Sequence, residues 1–177
     1  MLEMTPDRPG AAPEIEGFNA VLRADAQWQI DRPVTERVRV RAVAFTEHRH
    51  GPRSAVLGLR DLVDLPPGFN PRSLQWAQDL RNRPDNVNAD ARALAGQLLA
   101  HVRRGEFGYT LEPGTYGRHA VDEFWFDRKL GFCEHFAAAF VVMMRAMDVP
   151  ARVVTGYQGT DPQPVDGYYI VRQSHAH

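Results

Sequence analysis

The sequence predicts an α+β protein, and three observations carry that reading. The chain from Ala26 to Phe45 alternates like a strand, three stretches between Pro71 and Met147 repeat apolar residues at helical spacing, and two more strand candidates follow from Ala151. With 177 residues there is enough chain for one domain with its own core. Hydrophobic residues at 44% and charged residues at 24% fit the globular class rather than a disordered or fibrous one. A net charge of −1 leaves no basic surplus, so nucleic acid is not implied as a partner. The longest apolar run, Phe136 to Met144, falls far short of the roughly 20 residues that cross a bilayer.

The elements are justified in chain order. Residues 1–18 are expected to form a flexible tail, because MLEMTPDRPGAAPEIEG is rich in Pro, Gly and acid and lacks the basic start and apolar centre of a secretory signal. A β-rich segment is expected over 19–66 and the main core over 67–177. In RVRVRAVAF the residues Val38, Val40, Ala42 and Ala44 alternate with Arg37, Arg39, Arg41 and Val43, which gives one apolar face and one solvated basic face. Pro66-Pro67-Gly68 marks the boundary. Pro71 suits the first turn of a helix bearing Leu74, Ala77 and Leu80, which NRPDN closes. A second helix is expected from about Ala89 to Arg104, capped by Asn88, with Leu94, Leu98 and Val102 on one stripe and Gly105 as its stop. His101 has no second ligand one turn away, so it reads as a packing or surface residue. FGYTLEPGTYG reads as a loop. The third helix carries Phe136, Phe140, Met144 and Met147 on one stripe and ends at Asp148-Val149-Pro150. The segments ARVVTGYQ and YYIVRQSHAH, separated by the turn-rich GTDPQPVDG, are expected as two strands of a hairpin on which that helix packs.

The chemistry centres on GFCEHFAAAFVVMM, which holds the one cysteine of the chain. A single cysteine makes no internal disulfide and leaves the compartment open. Cys133 stands at the start of the third helix, where free N–H groups and the helix dipole favour a thiolate and could also hold an oxyanion. A free cysteine is also an ordinary core residue, and position leaves both readings open. The neighbouring His135 is a poor base, because residues i and i+2 of a helix point about 200° apart. His175 and His177 are the better candidates. They share one face of a regular strand, so periodicity does not choose between them. A His-x-His pair also suits zinc, and His48 with His50 repeats the spacing, but neither pair has clustered cysteines or carboxylates beside it, so no metal is expected.

The run DEFWFDRKLGFCEHFAAAFVVMMRAMDVPARVVTGYQG, Asp122 to Gly159, followed by YYIVRQSHAH, resembles the transglutaminase-like domain of bacterial inner-membrane proteins of the TgpA type. The resemblance extends upstream through Asn70-Pro71-Arg72 and Tyr109-Thr110-Leu111. It implies a papain-like thiol core, with the cysteine on a helix N-terminus packed on an antiparallel sheet. It also implies Cys133 as nucleophile and His177, in the Ala176-His177 step, as base. His175, Trp125 and Tyr109 are the supporting candidates, Trp125 chiefly through packing, with an indole N–H that an oxyanion could use. His175 stands where the family usually has Asp. The family's triad acid lies on the following strand, which leaves no residue to assign to it here, so a truncated, weakly active core is expected.

The resemblance further implies acyl transfer on a glutamine carboxamide or peptide carbonyl through a thioester, a protein or peptide substrate, and a periplasmic domain whose contact with the membrane runs through segments absent from this chain; the sequence carries no Gly-rich nucleotide loop, EF-hand-like loop or metal cluster, so no cofactor is expected. A protease or amidase shares the first half-reaction, and a module that holds a peptide or cell-wall strand in the same cleft is the non-catalytic alternative.

Overall fold

A computed structural model describes residues 3–4, 13–23, 28–36, 38–41 and 57–177. His48, His50 and the Ala42–Phe45 end of the basic strand lie outside the described residues. The chain divides into two compact units, Met1–Asp61 and Leu62–His177.

In the first unit, β1 (Glu3–Met4), β3 (Ala20–Leu22) and β4 (Trp28–Ile30) form an antiparallel sheet in the order β1-β4-β3. β2 (Glu14–Ile15) pairs antiparallel with β5 (Val40–Arg41), placing Ile15 opposite Val40. Pairing thus reaches into the first 18 residues, expected as a tail, because Ile15 and Ile30 find burial there. Val40, expected on an apolar face, is exposed. The short strand around it gives that face too little to cover.

The second unit is mainly helical. α1 (Pro71–Arg81) and α2 (Ala91–Arg104) fall where helical spacing predicts them, and Ala77, Leu80, Leu94 and Leu98 are buried between them and α4 (Cys133–Ala146). The cap of α2 is Asp90, whose carboxylate accepts from Ala93 N–H at 2.8 Å, rather than the expected Asn88. Both residue types cap well, and the turn at Pro84–Asn86 sets which one meets the helix. Asn86 is itself buried, donating to Leu80 O at 2.7 Å and exchanging amide bonds with Gln97.

Two elements in this unit lack a simple sequence period. Ala120–Asp122 (α3) runs into a π-helical segment, Glu123–Arg128, closed by a bond from Lys129 N–H to Phe124 O at 3.0 Å. Within the expected loop, β6 (Gly108–Tyr109) pairs in parallel with β7 (Leu130–Gly131).

The N-terminus of α1 is capped from α3. Asp122 is 3% exposed, and its carboxylate accepts from Ser73 N–H at 2.7 Å and Arg72 N–H at 3.1 Å. Asn70 returns the contact: its side-chain oxygen accepts from Val121 N–H at 3.1 Å, and its N–H donates to His119 Nδ1 at 3.0 Å. Outside this knot, both terminal nitrogens of Arg72 reach Asp127 at 2.9 Å, which lowers the Asp127 carboxyl below the usual range.

The C-terminal segment departs from the expected hairpin of two strands. Its two arms lie antiparallel, but only isolated bridges form, Tyr157 to Ala176 and Val165 to Tyr168, and Gln173–His175 is a 3₁₀ turn. The tip is a two-residue turn at Asp166-Gly167, both with positive φ, as a tight hairpin needs. Pro162 and Pro164 remove N–H donors from one arm, so a continuous ladder cannot form.

Two outcomes follow for stability. Asp122→Ala should lower the unfolding free energy by about 2–3 kcal/mol in urea denaturation, because two buried N–H groups lose a charged acceptor, whereas Asp127→Ala on the exposed pair should leave the midpoint nearly unchanged. His101 titrates below its ordinary value, first because it is partly buried and then because Lys129 and Arg104 are close. The unfolded chain therefore binds more protons than the folded one around and below pH 6.5, so stability should fall as pH drops through that region. His101→Gln should flatten that part of a melting-temperature profile.

Candidate active site

Cys133 is the first residue of α4, preceded by Phe132 in extended conformation. Phe132 has no side-chain acceptor, so the Cys133 and Glu134 N–H groups at the end that bears the sulfur receive no side-chain cap, while His135 N–H donates to Phe132 O at 2.9 Å. The imidazole of His135 accepts from Phe132 N–H at 3.4 Å, and its ring lies 4.5 Å from Phe132 and 4.9 Å from Tyr116. Cys133 is half-buried.

The approach to Cys133 is fixed by packing. Gly108 N–H donates to Lys129 O at 2.8 Å and Thr110 N–H to Gly131 O at 2.9 Å, so β6 holds the strand that leads into the helix. A Cβ on Gly131 would stand 2.7 Å from His135 Cβ and 3.1 Å from Phe124 Cε2. No side chain fits there. The neighbouring loop is tied in by Tyr116, whose hydroxyl donates to Leu130 O, and by Arg128, which donates to Thr115 O at 2.8 Å and lies 4.3 Å over the Tyr116 ring. Burial pushes the Tyr116 hydroxyl up.

The other sequence candidates fall in different places. Tyr109 pairs with Gly131, is 62% exposed, and stacks on Phe136 at 6.3 Å, which puts it beside the first turn of α4. Trp125 is 2% exposed in the core, with its ring 5.0 Å from His101 and 5.5 Å from both Trp76 and Phe107. Its Nε1 is buried without an acceptor. His175 and His177 do not share the face of a regular strand, because the 3₁₀ turn intervenes. His175 Nδ1 accepts from Arg172 N–H at 3.0 Å while Nε2 lies 3.8 Å from Asp161. Arg172 also grips Asp161 directly, at 2.5 to 2.8 Å, which holds that carboxyl below its usual range. His177 exchanges main-chain bonds with Gly156, both at 2.9 Å, and its imidazole is exposed. Among the described residues no hydrogen bond or ion pair joins Cys133 to His177. Nor is any group of three or more His, Cys, Asp or Glu side chains placed to hold a metal ion.

Asp161 is the acidic partner that sequence reasoning passed over. It sits in a turn-rich stretch without periodicity, and only the fold brings it to Arg172 and His175.

A model of the transglutaminase-like superfamily matches residues 75–177, which takes in Cys133 and both terminal histidines. The chain belongs to the transglutaminase-like superfamily. It is 37% identical over 160 residues to a protein-glutamine gamma-glutamyltransferase of Pseudomonas aeruginosa, covering 88% of this chain and 23% of that protein. An uncharacterized Bacillus subtilis protein, YebA, is 32% identical over 98 residues, covering 54% of this chain and 13% of its own length. Crystal structures of the periplasmic domain of TgpA from P. aeruginosa superpose with TM-scores of 0.73, in the form bound to ethylmercury, and 0.71. Each covers 99% of this chain at 32% identity, and the chain spans 63% and 61% of them. The transglutaminase-like α+β fold expected from the sequence is therefore present.

Gly131→Ala tests how tightly the cysteine is placed. The added methyl should cost about 1–3 kcal/mol in chemical denaturation and broaden the amide signals of the first α4 turn, because neither His135 Cβ nor Phe124 can withdraw freely.

Proposed function

We propose that this domain carries out thiol-dependent acyl transfer, with Cys133 as nucleophile and His177 as base. One observation carries the reading: Cys133 begins a helix whose N-cap, Phe132, supplies no side-chain acceptor, two residues after a glycine that packing crowds, in a chain of this family. Uncapped N–H groups at a helix start lower the cost of a thiolate. The choice of His177 rests on its match to the family's Ala-His step.

The P. aeruginosa relative is named for transfer at protein glutamine, and that substrate class is taken over here. The Cys133 sulfur attacks the carboxamide carbon of a glutamine side chain, and the N–H groups of the first α4 turn face the developing oxyanion. His177, as imidazolium, gives its proton to the departing nitrogen, which leaves as ammonia, and a thioester remains on Cys133. A primary amine then attacks the thioester, loses its proton to His177, and yields a new amide. Water in its place yields glutamate. Attack on a backbone carbonyl would make the same enzyme a protease, with a peptide amine as leaving group. Tyr109 flanks the approach and Trp125 stabilises the core behind it. The chemistry asks for no cofactor, and a periplasmic location accompanies the reading. Because no carboxylate orients His177 among the described residues, turnover should be slow; removing that role from a serine protease triad costs about 10⁴.

Iodoacetamide labelling against pH tests the nucleophile. In the folded protein Cys133 should be alkylated well below pH 8, and Cys133→Ala should abolish incorporation of a fluorescent primary amine into a glutamine peptide. His177→Ala should slow that incorporation by about 10²–10⁴-fold. A thiol that reacts only after unfolding would sink the enzyme reading and leave a peptide-binding module.

A further inference from the structure

A second concave site lies in the Leu62–His177 unit, and Cys133 does not line it. Its volume is about 440 Å³. Trp76 and Leu80 of α1 and Gln97 and His101 of α2 contribute to its wall, and it is also lined by three cations: Arg83 after α1, Arg104 at the end of α2, and Lys129 in the left-handed turn after the π-helical segment. That volume is within the range of small-ligand sites.

The charges that line this cavity are all of one sign. No carboxylate lines it. Elsewhere in the unit, Arg72 is matched by Asp127 and Arg172 by Asp161. Among the described residues, by contrast, Arg83, Arg104 and Lys129 form no ion pair. Arg104 Nε donates to Ala100 O at 3.2 Å, and Lys129 Nζ stands 5.8 Å over the Phe107 ring, so neither charge is neutralised by its contact. Three segments thus bring three positive charges, and no negative one, to the same cavity wall. His101 feels the same field from Lys129 and Arg104, which adds to the effect of burial in keeping it neutral. The aromatic wall, with Trp76 5.0 Å from the His101 ring, offers a surface for an apolar or flat body.

We infer that this cavity binds a small polyanion, whose phosphate or carboxylate groups are taken by Arg83, Arg104 and Lys129 while its body lies against Trp76. Two guanidinium forks and one ammonium suit two or more anionic groups better than one. The inference does not depend on the acyl-transfer reading, since none of these residues has a part in that chemistry.

The test is an NMR titration of the whole chain with pyrophosphate and, in a parallel arm, with a simple aliphatic tricarboxylate, each matched against sodium chloride at equal ionic strength. At least one polyanion should produce saturable changes at the His101 ring and the Trp76 indole, and the His101 titration curve should move to higher pH in its presence. The arm that saturates identifies the anionic group. The exposed double variant Arg83→Gln/Arg104→Gln, with an unchanged circular dichroism spectrum and melting point, should bind at least about tenfold more weakly. Changes that are linear and no larger than with chloride in both arms, or wild-type affinity in the double variant, would overturn the inference.

Discussion

The first N–H groups of α1 are satisfied by a carboxylate that lies 49 to 50 residues further along the chain. Most helices are capped by the residue in front of them, but Asn70 sits in the left-handed region and makes no side-chain bond to its own helix. Its side chain serves α3 instead, while Asp122 of α3 serves α1. Each helix start is therefore complete only when the other is docked. The exchange fixes where α3 begins, and the π-helical segment that follows positions Phe124 and Trp125 in the core. Phe124 in turn closes on Gly131, two residues before the cysteine. The placement of Cys133 thus descends, contact by contact, from a pair of reciprocal caps.

How much of this was legible depends on the range of the interaction. α1, α2 and α4 were readable because Ala77, Leu80, Leu94, Leu98, Met144 and Met147 recur at helical spacing and are buried. The stripe on α4 is wider than expected: Ala139 and Met143 are also buried, while Phe136 and Phe140 are half-buried among aromatic neighbours. The segment Phe124-Trp125-Phe126 puts three aromatics in a row, which fits neither a period of 2 nor one of 3.6, and the bond from Lys129 back to Phe124 accommodates it by widening one turn. The parallel pair β6–β7 spans two residues on each side, too few to leave a pattern. The terminal strands were expected from β-branched and aromatic content, and two prolines together with the grip of Arg172 on Asp161 prevailed over that propensity.

The position of Cys133 at a helix start was legible from local sequence, since its surroundings are its own first turn and Gly131 two residues before it. The surroundings of His175 were not, because Asp161 and Arg172 reach it only through folding. Trp125 shows the same limit in another form. An indole can be read as a possible donor to an oxyanion, but the rings that surround this one are Trp76, His101 and Phe107, which makes it part of an aromatic layer shared by α1, α2 and the π-helical segment.

Cys133 and His177 are also held with unequal firmness. The cysteine is anchored by a helix whose far side is in the core, whereas the last 27 residues are joined to each other by scattered main-chain bonds and carry Val154 at 69% and Tyr168 at 76% exposure. Free energies of local opening differ across a protein in the same sense as burial and bonding density. The terminal ribbon therefore belongs to a lower rung of opening than the helix, so the setting of His177 can change without touching the core that anchors Cys133.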